Sequence, residues 1–487
     1  MIDTQSIRKK ILDLALRGKL TEQLPEDGTA EELYRLIQQE KAVLIKAGLT
    51  KKNKPLPPVT IDKAPFEIPE NWKWVRWGDL SEQIQYGYIA SAQSTGQIKM
   101  VRISDIQGNK VIWKNVPYCD IDEESIDIYK LHQNDILFAR TGGTVGKSYL
   151  VENVDTEAVF AGYLIRTSYS KRLSAKYIKY FMDSDLYWKQ LQDGTTATAQ
   201  PNCNGQTLSK MILPLPPAAE QMRIVEKLQC VFSMLDTIDT LQSQYQENLA
   251  TLKSKIIDAG IQGKLTEQLP EDGTAEELYQ QIQQEKAALE KAGKIKKSKP
   301  LPPVTEEEKA FEIPEKWKWV RFSDLMLTIS TGPFGSMLHK SDYVNNGIPL
   351  INPMNIVGGR IIPSDKMMVS EESRLRLASY VLHEGMIVMG RRGEMGRCAI
   401  VNQNENGWLC GTGSFFMEPS NCILVQYVIV LLSTIYAKTY LGGQSIGMTM
   451  SNLNHTILTK MPVPLPPLAE QKRIVAKLEE LLPLCEG

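Results

Sequence analysis

Residues 18–34 recur without one change as residues 263–279, and only duplication produces such identity, so this chain must fold as two copies of one design. The offset of 245 (263 − 18) also relates residues 55–60 to 300–305, 66–70 to 311–315 and 72–76 to 317–321. A second shared block, residues 214–225 against 464–475, lies at an offset of 250 (464 − 214). Between the blocks the halves diverge, although residues 137–151 line up with 387–401 in apolar and glycine positions. Shared flanks with divergent interiors predict one scaffold that carries two different recognition surfaces.

After Pro217, Ile224, Leu228, Val231, Leu235, Ile238, Leu241, Tyr245, Leu249, Leu252 and Ile256 recur at threes and fours, the stripe of a coiled-coil-like helix. Over residues 218–259 such a helix would run on the order of 60 Å. The second copy starts the same helix with Ile474, Leu478 and Leu481 and stops soon after Pro483, while residues 7–18 match 252–263 at the other chain end. The chain thus reads as a permuted cycle. Its long helix is expected to pair antiparallel with a partner split between the two ends, with the termini close together, as one rigid rod.

Residues 30–47 and 275–292 read as short amphipathic helices introduced by Asp-Gly-Thr capping signals at Asp27 and Asp272. The lysines that follow, Lys51, Lys52 and Lys54, and Lys294, Lys296, Lys297 and Lys299, fit solvated linkers better than phosphate contacts. Inside the variable halves, strand-like runs occupy residues 99–103, 136–139, 148–151, 349–352, 386–389 and 397–401, with helices near 175–192 and 425–440. The expected fold class is α+β: two mixed α/β recognition domains separated by long antiparallel coiled-coil helices, pseudo-twofold and circularly permuted. The expected boundaries are 66–213 and 311–463 for the recognition domains, with helical regions at 1–65, 214–310 and 464–487.

A formal net charge of −1 provides no global positive field, so any nucleic-acid contact must come from local basic patches. Seven cysteines without a C-x-x-C pair fit reduced thiols in the cytoplasm, and the four histidines lack metal-ligand spacing. No metal or other cofactor is expected. The N-terminal residues 1–18 carry charges throughout, which fits neither a signal nor a transit peptide, and the apolar run 423–437 is short for a bilayer span.

The arrangement of two variable domains alternating with two near-identical helical regions, carrying Pro-Leu-Pro-Pro-x-Ala-Glu-Gln and Gly-Lys-Leu-Thr-Glu-Gln, resembles the specificity subunit of type I restriction-modification enzymes over essentially the whole chain. The most specific marks are Glu220-Gln221 and Glu470-Gln471, and the aromatic entries Trp72-x-Trp74 and Trp317-x-Trp319. The resemblance implies that each variable domain binds one half of a bipartite site on double-stranded DNA. It implies helical regions that dock two modification subunits, which restriction subunits join, and a chain that binds no S-adenosylmethionine and cleaves nothing.

Residues 141–148 invite a P-loop reading, yet Thr141 holds the required first glycine position and the second copy has Arg397-Cys398 in place of Lys147-Ser148. A tight turn that projects Arg140, Thr141 and Lys147, and in the second copy Arg391, Arg392 and Arg397, toward a duplex suits the residues better, since arginine paired to guanine is the commonest specific base contact. An exposed basic turn is the alternative. From the resemblance, hydroxyl- and amide-rich loops at 194–206 and 442–454 should lie near DNA, with Thr195, Thr196, Gln200 and Asn202 against Gln444, Ser445, Thr449 and Asn452, ordinary surface loops being the alternative. Tyr86 and Tyr88, and Phe334 and Ser336, expected after the first helix of each half, are candidates for backbone or thymine-methyl contact, with turn packing as the alternative.

Two rival classes remain at this level. A chain with its own methyltransferase or ATP-dependent nuclease activity would bind S-adenosylmethionine or ATP. Against it, every Pro-Pro pair follows leucine, so the Asn/Asp-Pro-Pro-aromatic signature of amino-methyltransferases is absent. A two-headed protein scaffold would show no DNA affinity with partner subunits present.

Overall fold

The computed structural model describes residues 1–50, 56–60, 64–152, 154, 156–194, 203–297, 299–334, 337–393, 396–443 and 453–486. It divides into two compact units, Met1–Gln242 and Ser243–Gly487. A 44-residue helix, Ala218–Ile261, contains the boundary between them.

In the first unit the helix Thr4–Leu16 lies antiparallel on the opening half of that long helix. Thr4 Oγ1 donates to Asp239 at 2.5 Å, Arg8 reaches Asp236 at 2.7 Å and stacks on Phe232, and Leu12 and Ala15 share a buried core with Ile224 and Leu228. Partner numbers fall as the first helix advances, which fixes the direction. The second unit builds the same pair from the other pieces. There Ile256 and Ile257, from the end of the long helix, pack with Ile474, Val475 and Leu478 of the helix Leu468–Leu481. The expected antiparallel pairing with a split partner is therefore present within each unit.

Each variable half, or head, enters and leaves on neighbouring antiparallel strands. Lys73–Arg76 pairs with Ile212–Leu215, and Lys318–Arg321 with Pro462–Leu465. Next comes a four-stranded antiparallel sheet, in spatial order Ser81–Tyr86, Leu164–Tyr169, Ile136–Ala139 and Ser148–Leu150; the second unit repeats it with Met326–Thr331, Ser414–Pro419, Ile387–Gly390 and Cys398–Ile400. A small second sheet, centred on Ile98–Val101 or Tyr343–Ile351, carries both parallel and antiparallel neighbours. Trp77, Phe138, Tyr177, Phe181 and Tyr187 are fully buried in the first unit, as are Phe322, Phe415 and Tyr427 in the second.

The repeated motifs converge on one buried carboxyl group in each unit. Glu220 accepts from Thr21 Oγ1 at 3.0 Å, Gln23 Nε2 at 2.8 Å and Trp72 Nε1 at 2.7 Å. Glu470 accepts from Thr266, Gln268 and Trp317 at 3.0, 2.6 and 2.7 Å. Beside it, Gln221 accepts from the Ser174 N–H and donates to the Pro216 carbonyl, as Gln471 does with Leu424 and Pro466. A buried polar group is tolerated when its hydrogen bonds are satisfied, and here three donors from two segments provide them.

Several expectations need correction. Each Asp-Gly-Thr signal caps its helix through the threonine, Thr29 or Thr274, whose side chain accepts from Glu32 or Glu277 N–H, while Asp27 and Asp272 bind Arg223 and Arg473 at 2.7 Å. Those arginines hold both carboxyls below the usual aspartate range. The single helices expected at 175–192 and 425–440 are each two, Ala175–Met182 with Asp185–Gly194 and Val425–Ser433 with Ile435–Gly443. Ser184 Oγ and Thr434 Oγ1 accept from Tyr187 and Ala437 N–H and restart the helix at the break. Tyr86 and Thr331 end the first strand of the four-stranded sheet, and residues 87–88 and 332–334 follow that strand, not a helix directly.

Candidate nucleic-acid interface

Arg140 stands at the end of strand Ile136–Ala139, where three segments of the first unit meet. Its N–H donates to the Tyr163 carbonyl at 3.2 Å and its own carbonyl accepts from Cys203 N–H at 2.9 Å. Its guanidinium lies over the Tyr86 ring, 4.8 Å from the centroid, and Tyr86 Oη accepts from Gly205 N–H at 3.1 Å. The ring restrains the arginine by cation–π attraction while the hydroxyl fixes the ring.

Arg391 occupies the same place in the second unit. Its N–H donates to Gly413, its carbonyl accepts from Leu453 N–H at 3.0 Å, its Nε donates to the Leu453 carbonyl at 3.1 Å, and its guanidinium sits over Phe415 at 5.1 Å. Burial and the adjacent Arg392 charge lower its pKa from the ordinary arginine value, a concentration of positive charge suited to an anionic partner. This equivalence corrects the alignment of residues 137–151 with 387–401. Strand pairing matches Leu164↔Ala139 with Ser414↔Gly390, an offset of 251 (390 − 139), whereas the following strand keeps 250 (398 − 148). The second turn is one residue shorter, and Arg140 corresponds to Arg391.

The glycine turn itself is held from below. Gly146 has a left-handed φ of 92°, and a Cβ there would approach Leu191 to 2.3 Å; Tyr187 Oη donates to its carbonyl at 3.0 Å. Residues 142–144 form a short 3-10 turn that leads into strand Ser148–Leu150. A phosphate-cradling P-loop opens a helix, so this loop has the wrong continuation.

The remaining predicted residues divide by exposure. Lys147 and Arg392 are exposed, Thr141 and Arg397 half-buried, and Tyr86 and Phe334 are 42% and 69% exposed. Tyr88 turns inward, its ring 5.2 Å from Tyr129 and its hydroxyl 3.5 Å from Asp122. Thr195, Thr196, Gln200, Asn202, Ser336, Gln444, Ser445, Thr449 and Asn452 lie outside the described residues. Cys203 and Leu453, which bond Arg140 and Arg391, lie within the two polar segments 194–206 and 442–454. Sequence reasoning passed over Ile89 and Tyr163, both exposed; the signal was their place within two residues of Gly87 and Gly162, where an added Cβ would meet a close neighbour.

Among the described residues, no group of three or more His, Cys, Asp or Glu is placed to hold a metal ion, and no helix is long and apolar enough to cross a membrane.

A family model described as the type I restriction modification DNA specificity domain matches residues 69–246 and 314–485. The EcoEI specificity subunit of a type I restriction enzyme from Escherichia coli is 28% identical, with 99% of this chain and 89% of that protein aligned. The EcoAI specificity subunit, also from Escherichia coli, is 28% identical over the same shares. A chain from a solved structure of complex assembly in the type I R-M system superposes with a TM-score of 0.59 at 19% identity, covering 87% of this chain and 93% of that one, a likeness of fold.

Proposed function

We propose a function for this chain on the premise that it belongs to the type I restriction modification DNA specificity family: it is the sequence-reading subunit of a type I restriction-modification complex. The relatives it matches over nearly their full length are named specificity subunits. Each head reads one half of a bipartite site on double-stranded DNA, and the heads extend over residues 66–213 and 311–463. The flanking helical regions dock two modification subunits, to which restriction subunits are added, in the cytoplasm. The chain takes no cofactor and performs no catalysis of its own.

One observation carries this reading. Two heads that differ in most surface residues keep an arginine at the same backbone position, each stacked on an aromatic ring where three segments meet. A restrained guanidinium is suited to paired hydrogen bonds with guanine, which contribute about 1–3 kcal/mol of discrimination. Tyr86, Thr141 and Lys147 join Arg140 in the first head, and Phe334, Arg392 and Arg397 join Arg391 in the second. Tyr88 is the weakest of the candidates, since its side chain is committed to Tyr129 and Asp122. The long helix, about 65 Å for its 44 residues, sets the distance between half-sites.

The test is to map methylated bases in cells that express the chain with its modification and restriction partners, before and after residues 77–213 are exchanged for those of a relative. A change confined to one half of the site is expected. A chain that shifts no DNA in a gel even with its partners, or one that binds S-adenosylmethionine or ATP alone, would overturn the assignment.

A further inference from the structure

Gly87 and Gly332 hold equivalent positions, and neither tolerates a side chain: a Cβ would come within 2.2 Å of the Ala161 carbonyl oxygen in one unit and 1.9 Å of Gly411 in the other. Their N–H groups donate to the Leu164 and Ser414 carbonyls at 3.1 and 2.9 Å. The chain is therefore pinned two residues before Ile89 and Phe334, which share the offset of 245 (334 − 89). Both side chains are bare, at 91% and 69% exposure.

A single exposed apolar residue is ordinary on a protein surface. Two at the same pinned position, in heads whose sequences otherwise diverge, are not scattered. Ile89 also lies near the arginine junction: a Cβ on Gly162 would come within 3.0 Å of its Cγ1, and the next residue, Tyr163, accepts from the Arg140 backbone N–H. In the second unit Gly332 packs on Gly411, two residues before Gly413, which receives the Arg391 N–H. In both heads the backbone that presents an apolar tip is thus tied through a neighbouring segment to the backbone of the arginine. The major groove offers a matching pair of features, guanine acceptors and the thymine C5-methyl group.

Resting on the DNA-reading function above, we infer that Ile89 and Phe334 are thymine-methyl readers, each contacting a methyl group near the base pair addressed by Arg140 or Arg391. Removing one buried methyl-sized contact weakens binding about fourfold.

The experiment measures affinity for duplexes carrying the mapped site, with the full chain and its modification subunits, as each thymine in turn is replaced by uracil. The wild type should lose about fourfold at one thymine per half-site. Ile89→Ala should bind more weakly, become indifferent to uracil in its own half-site and keep the uracil penalty in the other, while Phe334→Ala shows the converse. The untouched head reports folding within the same molecule, and Ile89→Leu should retain the uracil response. Wild-type protein that binds its site but tolerates uracil at every thymine would overturn this inference and leave the DNA-reading function standing. Absence of any site-specific binding would instead remove that function.

Discussion

Trp72 Nε1 donates to Glu220 Oε2 at 2.7 Å across 148 residues of chain, so the aromatic that opens the first head is bonded to the motif that follows its close. Trp317 and Glu470 repeat the bond at the same length. Glu220→Ala would strand three donors in a site where the carboxyl is fully buried, and loss of about 3 kcal/mol is expected. Glu470→Ala should cost a similar amount in the second unit. Chemical denaturation followed by tryptophan fluorescence measures both, and an unshifted midpoint would show that the motif has another task.

The buried pair Asp135–Arg166, 3.4 Å apart, has no ionic counterpart in the second unit, where Met386 and Phe416 take the equivalent places. Burial raises the Asp135 pKa and lowers that of Arg166 against their mutual attraction, so desolvation exceeds the gain from pairing. Asp135→Ala should destabilise the first head by about 3–5 kcal/mol, because it leaves a buried cation. Asp135→Met with Arg166→Met should cost much less, although the Lys130 and Ile128 carbonyls lose a donor. Thermal unfolding of the three proteins distinguishes these outcomes; equal losses would contradict the desolvation argument.

Glu308 is held at about 2 by hydrogen bonds from Arg321 and the Thr305 N–H, against an ordinary value of 4.5. A depressed carboxylate stabilises the fold fully above its unfolded pKa and loses that contribution as pH falls toward the folded value. The melting-temperature gap between wild type and Glu308→Gln should therefore be constant near neutral pH and narrow below about pH 4.5. A gap that widens on acidification would reverse the sign of the linkage.

Arg140→Ala should relax discrimination in one half-site and Arg391→Ala in the other, each by about 1–3 kcal/mol. Tyr86→Phe, which keeps the ring under Arg140 but loses the bond to Gly205, should have a smaller effect. Binding titrations against single-base variants of each half-site measure this, and wild-type affinity should fall steeply with added salt as phosphate contacts release counterions.

Hydrogen bonds to the N-terminal segment reach Gln242, and the ion pair to the C-terminal segment begins at Lys253. Seven residues inserted in register after Tyr245 fall between the two. They lengthen the helix by about 10 Å, equivalent to about three base pairs of duplex. Methylation mapping should show a spacer longer by that amount, and an unchanged spacer would dismiss the helix as a ruler.

The duplication, the long helix and the permuted pairing were legible because identity and heptad spacing survive any divergence of loops. The register of the glycine turns was not. Matching glycines suggests one offset, while strand pairing places Arg140 opposite Arg391, and a one-residue difference in turn length is invisible until hydrogen bonds are known. The helix breaks at Ser184 and Thr434 were hidden because apolar spacing continues across them while a single hydroxyl restarts the helix. Tyr88 and Ile89 show the limit most clearly: adjacent in sequence, one faces a small core and the other solvent, a choice made by the close contact at Gly87.

The paired entry and exit strands, Lys73–Arg76 with Ile212–Leu215 and Lys318–Arg321 with Pro462–Leu465, have a mechanical corollary. Neighbouring antiparallel strands lie about 5 Å apart whatever the length of chain between them. The five residues by which the second head exceeds the first (250 − 245) are absorbed beyond that junction and leave its register unchanged. Each head is thus a plug with a standard fitting, and a differently sized insert ending on the same two strands would place no new demand on the helices that carry it.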